Sequence, residues 1–342
     1  MLTVAVVGGA GYIGGELLRL VLGHPELQLA ATTSRRLAGK RVDGPHPNLR
    51  GITDATFIAP DQLADYDVLL LATGHAETMH SMPELLRRAG VLIDLSADFR
   101  LADPAQFRQY YQAEHVHPEL LAGFVSGLPE LHRKQLTEAD RISVPGCMAT
   151  AAILALQPLA DAGLIDGLVT VDARTGSSGS GAVPSAANLH AERSGAMRVF
   201  APAGHRHEAE ISQSIGGRPV SMTATGVEAV RGVQVVCRVP VVAGVDERSL
   251  RVRYREFYRD EPFVRVVTTR TGLYRLPEPK ILTGTNYCDV GFALDARHQQ
   301  VLAIAALDNL VKGGAGNAVQ CLNVRFGLPE RAGLDAIGLH PV

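Results

Sequence analysis

The residues best suited to chemistry are a cysteine and a short run of basic side chains. Cys147 follows Ile142-Ser143-Val144-Pro145-Gly146, a β-branched run closed by a turn, and opens an Ala/Leu-rich stretch to Leu156 without Gly or Pro that reads as a helix. A sulfur at a helix N-terminus meets exposed N–H groups and the positive end of the helix dipole, which stabilise a thiolate nucleophile near neutral pH. The alternative is a small buried apolar residue, a common fate of cysteine. Gly204-His205-Arg206-His207 supplies what a thiol nucleophile needs, since imidazole titrates where it can hold and return a proton. The spacing leaves open which histidine serves, and solvated histidines without a role are the plainer alternative. The H-x-H pair has no cysteine or carboxylate at ligand spacing, so no metal is expected.

A nucleophile needs a scaffold, and the N-terminus begins one. Leu2 to Val7 is a continuous β-type run, Gly8-Gly9-Ala10-Gly11-Tyr12-Ile13-Gly14-Gly15 is a glycine-rich turn, and Glu16 to Leu22 has helical apolar spacing. Gly8, Gly11 and Gly14 are spaced so that backbone approaches a pyrophosphate at a helix N-terminus, with Tyr12 and Ile13 between them. The second strand, Leu27 to Thr33, ends in Ser34-Arg35-Arg36 instead of the acidic residue that recognises an NAD ribose. A hydroxyl and two guanidinium groups suit a 2′-phosphate, so the expected cofactor is NADP; two solvated arginines are the alternative.

Strands at Asp67–Ala72 and Val91–Leu95, with a helix-like Glu77 to Ala89 between them, extend the alternation to a doubly wound parallel sheet. Ser96-Ala97-Asp98-Phe99-Arg100 follows the second of these strands, where loops meet ligands. Arg100 is a candidate for an anionic substrate group or for a structural pair with Asp98. Beyond Cys147 come Leu168 to Ala173 and the loop Arg174-Thr175-Gly176-Ser177-Ser178-Gly179-Ser180-Gly181, a nest for phosphate or nicotinamide or else a linker. Strands at Val220–Thr225, Gly232–Val242, Phe263–Thr268 and Tyr287–Leu294 and a helix at Arg248–Tyr258 describe a mostly antiparallel α+β domain. A last helix, Asn317 to Phe326, is expected to return to the first domain.

At 342 residues, 46% hydrophobic and 20% charged, the chain predicts two globular domains. A net charge of −2 without basic–aromatic runs argues against nucleic acid. No apolar stretch reaches the length of a membrane span, and four scattered cysteines without C-x-x-C suit neither zinc nor a disulfide frame, so a cytoplasmic protein is expected.

The glycine turn, Ser96 to Leu101, Gly127-Leu128-Pro129-Glu130-Leu131, Pro145-Gly146-Cys147, Gly204 to His207 and Asp308-Asn309-Leu310-Val311-Lys312-Gly313, in that order, resemble the N-acetyl-gamma-glutamyl-phosphate reductase family. Thr33 to Arg36, His46-Pro47-Asn48-Leu49-Arg50-Gly51, Met148-Ala149 and Ser177 to Gly181 with Leu189 to Gly195 lean toward its lysine-pathway branch, whose substrate is borne by a small acidic carrier protein. The resemblance implies a Rossmann-type domain over 1–146 and 308–342 and a glyceraldehyde-3-phosphate-dehydrogenase-like catalytic domain over 147–307. It also implies NADPH-dependent reduction of an acyl phosphate to a semialdehyde, on glutamyl or aminoadipyl substrates, carrier-linked or free. Cys147 would form a thioester, with His207 or His205 as acid/base. Ser96, Arg100 and Arg206 would contact substrate, and Ser177, Gly179 and Asn309 the cofactor. Arg50, Arg193, Arg198 and Arg206 are candidates for a positive rim toward an acidic carrier. A homodimer or homotetramer through the second domain is expected.

Overall fold

The computed structural model describes residues 1–342 and divides into two compact units. Unit 1 holds residues 1–145, 181–183 and 314–336, and unit 2 holds 146–180, 184–313 and 337–342. Residues 308–313 and 337–342, assigned to the first domain from sequence, therefore fall in unit 2. Asp308 is bound there by Arg231 and by the Gly284 N–H, and the His340 ring packs edge-on against Tyr274.

Unit 1 is built on strands β1 (Leu2–Val7), β2 (Leu27–Thr32), β3 (Tyr66–Leu71), β4 (Ala89–Asp94), β5 (Val125–Ser126) and β6 (Arg141–Ser143). They form one parallel sheet in the order β2-β1-β3-β4-β6-β5. Helices α1 (Tyr12–Leu22), α2 (Thr78–Leu85), α3 (Pro104–Tyr111) and α4 (Pro129–Leu136) connect them. Apolar runs such as Val68 to Leu71 are wholly buried because a parallel sheet is covered on both faces. Ala5 and Val7 join Leu69, Leu71, Met79, Met82 and Phe107 in one cluster, while Val4 and Val6, out of phase by one residue, face the other layer. Because β2 and β3 flank β1 on opposite sides, the carboxyl ends of β1 and β3 form the switch point where such sheets take ligands. α2 ends earlier than its sequence suggests, since Ala89 already pairs with Tyr66 in the sheet.

Unit 2 contains β7 (Val169–Thr175), β8 (Arg198–Ala201), β9 (Val220–Gly226), β10 (Val233–Pro240), β11 (Val264–Val266), β12 (Cys288–Asp295) and β13 (Gln300–Leu307). Their order is β11-β12-β13-β10-β7-β9-β8; β7/β9 and β11/β12 are parallel and the remaining neighbours antiparallel. Gln300–Leu307, rich in alanine and poor in β-branched residues, is not singled out by its sequence, yet it is a central strand paired along its whole length with β10. Helices α5 (Cys147–Asp161), α6 (His190–Arg193), α7 (His207–Ser214) and α8 (Glu247–Phe257) follow the same chain. Val233, Val235, Cys237 and Val239 of β10 are buried while Gln234, Val236 and Arg238 are not, so one face of this sheet is covered more fully than the other.

α5 is the buried helix of unit 2. Pro158 within it has no N–H for the Leu154 carbonyl, and the Tyr258 hydroxyl donates to that carbonyl instead. Tyr254 of α8 donates to Ala155 O at 2.7 Å beside it. The last helix, α9 (Gly316–Arg325), belongs to unit 1, where Asn317 donates to Gly127 O, Gln320 to Glu130, and His24 to Asn323. Glu130 is thus held within the framework. No helix is long and apolar enough to cross a membrane.

Candidate active site

Cys147 is the first residue of α5, preceded by Gly146 in an extended conformation with no side-chain cap. Cys147 therefore stands at the positive, N-terminal end of a 15-residue helix. Cys147 is half-buried, whereas Cys237, Cys288 and Cys321 are wholly buried, and no cysteine is in a disulfide. Gly313 packs on it: a Cβ there would lie 2.5 Å from the Cys147 Cβ.

His207 opens α7 and is buried. Its Nε2 lies 3.7 Å from Glu210 Oε1, one helical turn on, and Glu210 Oε2 accepts the Gly146 N–H at 2.8 Å. One buried carboxylate therefore joins the histidine to the residue directly before the cysteine. His205 is differently placed. Its Nδ1 accepts the His207 N–H at 3.2 Å, and burial, helped by Arg206, pulls its pKa down to about 4. It is neutral at neutral pH, with one ring nitrogen committed and its ring edge-on to His207. Glu208 secures the turn by accepting the Gly204 and Met222 N–H groups. Glu210 was not singled out from sequence; the His207/Glu210 spacing on one turn was the available signal, and its bond to Gly146 spans 64 residues.

Asn309 spends both ends of its amide inside unit 2, Nδ2 donating to Ser178 Oγ at 2.9 Å and Oδ1 accepting the Gly232 N–H at 2.8 Å. It pins the loop carrying Ser177 and Gly179, both of which remain at least partly exposed. Gly176 lets this loop approach β10's leading segment, since a Cβ would meet Val230 O at 2.6 Å. Asp308 shapes the following turn by accepting the Leu310 and Val311 N–H groups.

In unit 1 the glycine turn fits a dinucleotide. Gly8 has φ +83° and Gly14 sits against it, where a Cβ would lie 2.5 Å from Gly8 O, whereas a Cβ on Gly11 would meet nothing within 4 Å. The first two glycines named are required by packing, and Gly11 borders open space at the uncapped start of α1, next to exposed Tyr12 and half-buried Ile13. The shape of the turn fits a pyrophosphate. The Gly9 N–H donates to Thr33 O, which brings the turn beside Ser34, and Arg35 and Arg36 are exposed on the same loop. Ser34 accepts the Leu37 N–H and keeps its own O–H to donate.

Ser96 and Arg100 follow β4, the first wholly buried and the second half-buried. Ser96 donates to Asp94 and accepts the Asp98 N–H; Asp98 in turn accepts the Ala76 and Met79 N–H groups and caps α2. Arg100 Nη2 donates to Leu95 O at 2.9 Å. Burial pushes the Asp94 carboxyl up to about 7. Arg206, half-buried, sits at the N-cap of α7. No group of three or more His, Cys, Asp or Glu is arranged to hold a metal ion.

Residues 3–139 match the semialdehyde dehydrogenase NAD-binding domain, and residues 147–309 match the semialdehyde dehydrogenase dimerisation domain. The LysW-L-2-aminoadipate 6-phosphate reductase of Deinococcus radiodurans is 45% identical over 341 residues, covering 99% of this chain and 98% of that protein. Aspartate semialdehyde dehydrogenase II of Vibrio cholerae, solved with ASA, superposes with a TM-score of 0.71 at 18% identity over 96% of this chain and 98% of its own. The Candida albicans aspartate semialdehyde dehydrogenase, solved with NADP, gives 0.68 at 13% identity, over 95% and 98%. At such identities these two likenesses concern the fold alone.

Proposed function

The chain belongs to the semialdehyde dehydrogenase family, among the LysW-aminoadipate and LysW-glutamate phosphate reductases, and from that premise we propose that it reduces a carrier-linked amino-acid acyl phosphate to its semialdehyde. The observation that carries the reading is the shared Glu210 carboxylate, which ties His207 to the N-cap beside Cys147.

The Cys147 thiolate attacks the acyl carbon, the bond from that carbon to the phosphate oxygen breaks, and phosphate leaves behind a thioester. The helix N-terminus stabilises the thiolate before attack and again when it is released. His207 takes the thiol proton on its imidazole and moves protons during turnover, while Glu210 orients the ring and favours its cationic form. His205, neutral and accepting from the His207 backbone, supports the ring next to it. A nicotinamide cofactor, when bound, would supply the hydride that takes the thioester to the aldehyde level; Cys147 then leaves as thiolate as its carbon–sulfur bond breaks. Gly8, Gly11, Tyr12, Ile13 and Gly14 would hold its pyrophosphate, and Ser34, Arg35 and Arg36 a 2′-phosphate, which supports NADP as the cofactor. Ser177 and Gly179, on the loop held by Asn309, would line the nicotinamide side, and Arg100 and Arg206 would meet substrate anions, with Ser96 supporting Arg100's loop.

The LysW in the relatives' names supports a carrier-linked substrate; an acidic carrier holding the substrate's amino group would take Arg50, Arg193, Arg198 and Arg206 as its basic contacts. Self-association uses the less covered face of the seven-stranded sheet. Reverse-direction turnover with NADP and phosphate, offering carrier-linked and free N-acetyl semialdehydes of both chain lengths, tests the whole reading. Faster oxidation of the carrier-linked aldehydes supports it. Preference for the free N-acetyl glutamate semialdehyde would make this an arginine-pathway enzyme instead.

A further inference from the structure

We propose that His46 is a positioning residue for the dinucleotide: its imidazole holds the glycine turn in the shape that receives the pyrophosphate. This rests on the NADP reading above. His46 lies in the loop between β2 and β3, well separated in sequence from the turn, and is only 8% exposed. Its Nε2–H donates to the Gly9 carbonyl at 2.7 Å, and a carbonyl acceptor fixes the proton on that nitrogen. The ring packs against the start of α1, where Gly15 makes room for it: a Cβ there would come within 2.6 Å of Cε1 and Nδ1. Phe57 packs edge-on to the ring, with centroids 6.5 Å apart.

His46 is itself anchored. Its N–H donates to Val42 O, its carbonyl accepts the Leu49 N–H, and Val42 is bonded to Ala55. Gly9 thus has both polar groups engaged, its N–H by Thr33 O and its carbonyl by His46, while the Gly8 N–H donates to Thr33 Oγ1. A turn rich in glycine loses more conformational freedom on ordering than any other sequence. These contacts meet that cost before the ligand arrives, so the amides ahead of α1 are in place when a phosphate binds. The same loop carries Ser34, Arg35 and Arg36, but the two devices differ in what they read. The arginines address a 2′-phosphate, and His46 acts on the pyrophosphate that both dinucleotides share.

Calorimetric titration of NADPH and NADH into folded wild type, His46→Leu and His46→Gln tests this without turnover. Leucine keeps bulk and loses the donor; glutamine keeps an N–H donor. We expect His46→Leu to weaken both dinucleotides about tenfold with their ratio unchanged, and His46→Gln to recover most of the loss. Thermal melting of the ligand-free proteins confirms that both variants are folded. Equal affinities in wild type and His46→Leu, or equal losses in both variants, would overturn the positioning role while leaving the cofactor reading intact. Wild type that binds neither dinucleotide overturns the cofactor reading itself.

Discussion

His207 and Glu210 stand one turn apart on α7, Nε2 to Oε1 at 3.7 Å, while the second carboxylate oxygen accepts the Gly146 N–H. The acid/base candidate and the nucleophile's N-cap are therefore registered by a single buried side chain. Glu210→Gln keeps the size and removes the charge. It is expected to lower kcat about a hundredfold and to displace the pH profile of kcat toward acid, because an imidazole without a carboxylate neighbour holds its proton less well. An unchanged profile would remove Glu210 from the mechanism.

Cys147→Ala should abolish aldehyde formation while NADPH affinity, read by calorimetry, stays within about twofold, since the glycine turn lies in the other unit. Substantial residual turnover would sink the thioester route.

Arg35→Ala with Arg36→Ala should weaken NADPH at least about tenfold and leave NADH nearly untouched, because both guanidinium groups are exposed and the pyrophosphate cradle does not use them. Equal weakening of both would refute recognition of the 2′-phosphate.

Gly313→Ala inserts a methyl 2.5 Å from the Cys147 Cβ and 3.1 Å from Leu307 Cδ1. The sulfur has to move, and a displacement on the order of 1 Å at a reacting atom costs about a hundredfold in rate. Turnover near wild type in a variant with an unchanged melting temperature would show that the nucleophile tolerates the shift.

Acidification tests the histidine cluster. His205, pulled down to about 4 by burial from an ordinary 6.5, binds its proton in the unfolded chain before the native one. Its contribution to stability is present above about 6.5 and is lost as pH falls toward 4. Burial shifts His24, His115 and His132 in the same direction, whereas Asp94, raised to about 7, contributes stability that is lost as pH rises from 4 to 7. The difference between wild type and His205→Gln isolates the contribution of His205: melting temperatures of the variant should fall less steeply between pH 6.5 and 4.5. Parallel slopes would contradict it.

The first unit is legible in the sequence because each of its signals is local. Leu2–Val7 is a buried strand by composition, and Gly8, Gly11 and Gly14 mark their turn by spacing. The second unit is less so. β13 has alanines where a strand usually shows β-branched residues, and its identity comes from pairing with β10 and β12. Short β8 depends likewise on its antiparallel neighbour β9. Cys147 and the histidines were visible as residue types, but the choice between His205 and His207 turns on which ring nitrogen meets a backbone amide. The hydrogen bonds of Glu210 and His46 span 64 and 37 residues, and no spacing rule reaches that far.

Of the four cysteines, Cys147 alone is not wholly buried. An alkylating reagent added to folded protein should therefore consume a single equivalent, at Cys147, and the fraction alkylated should equal the fraction of activity lost. The fold thus provides a count of working molecules in any preparation, with denaturation releasing the other three thiols as an internal standard.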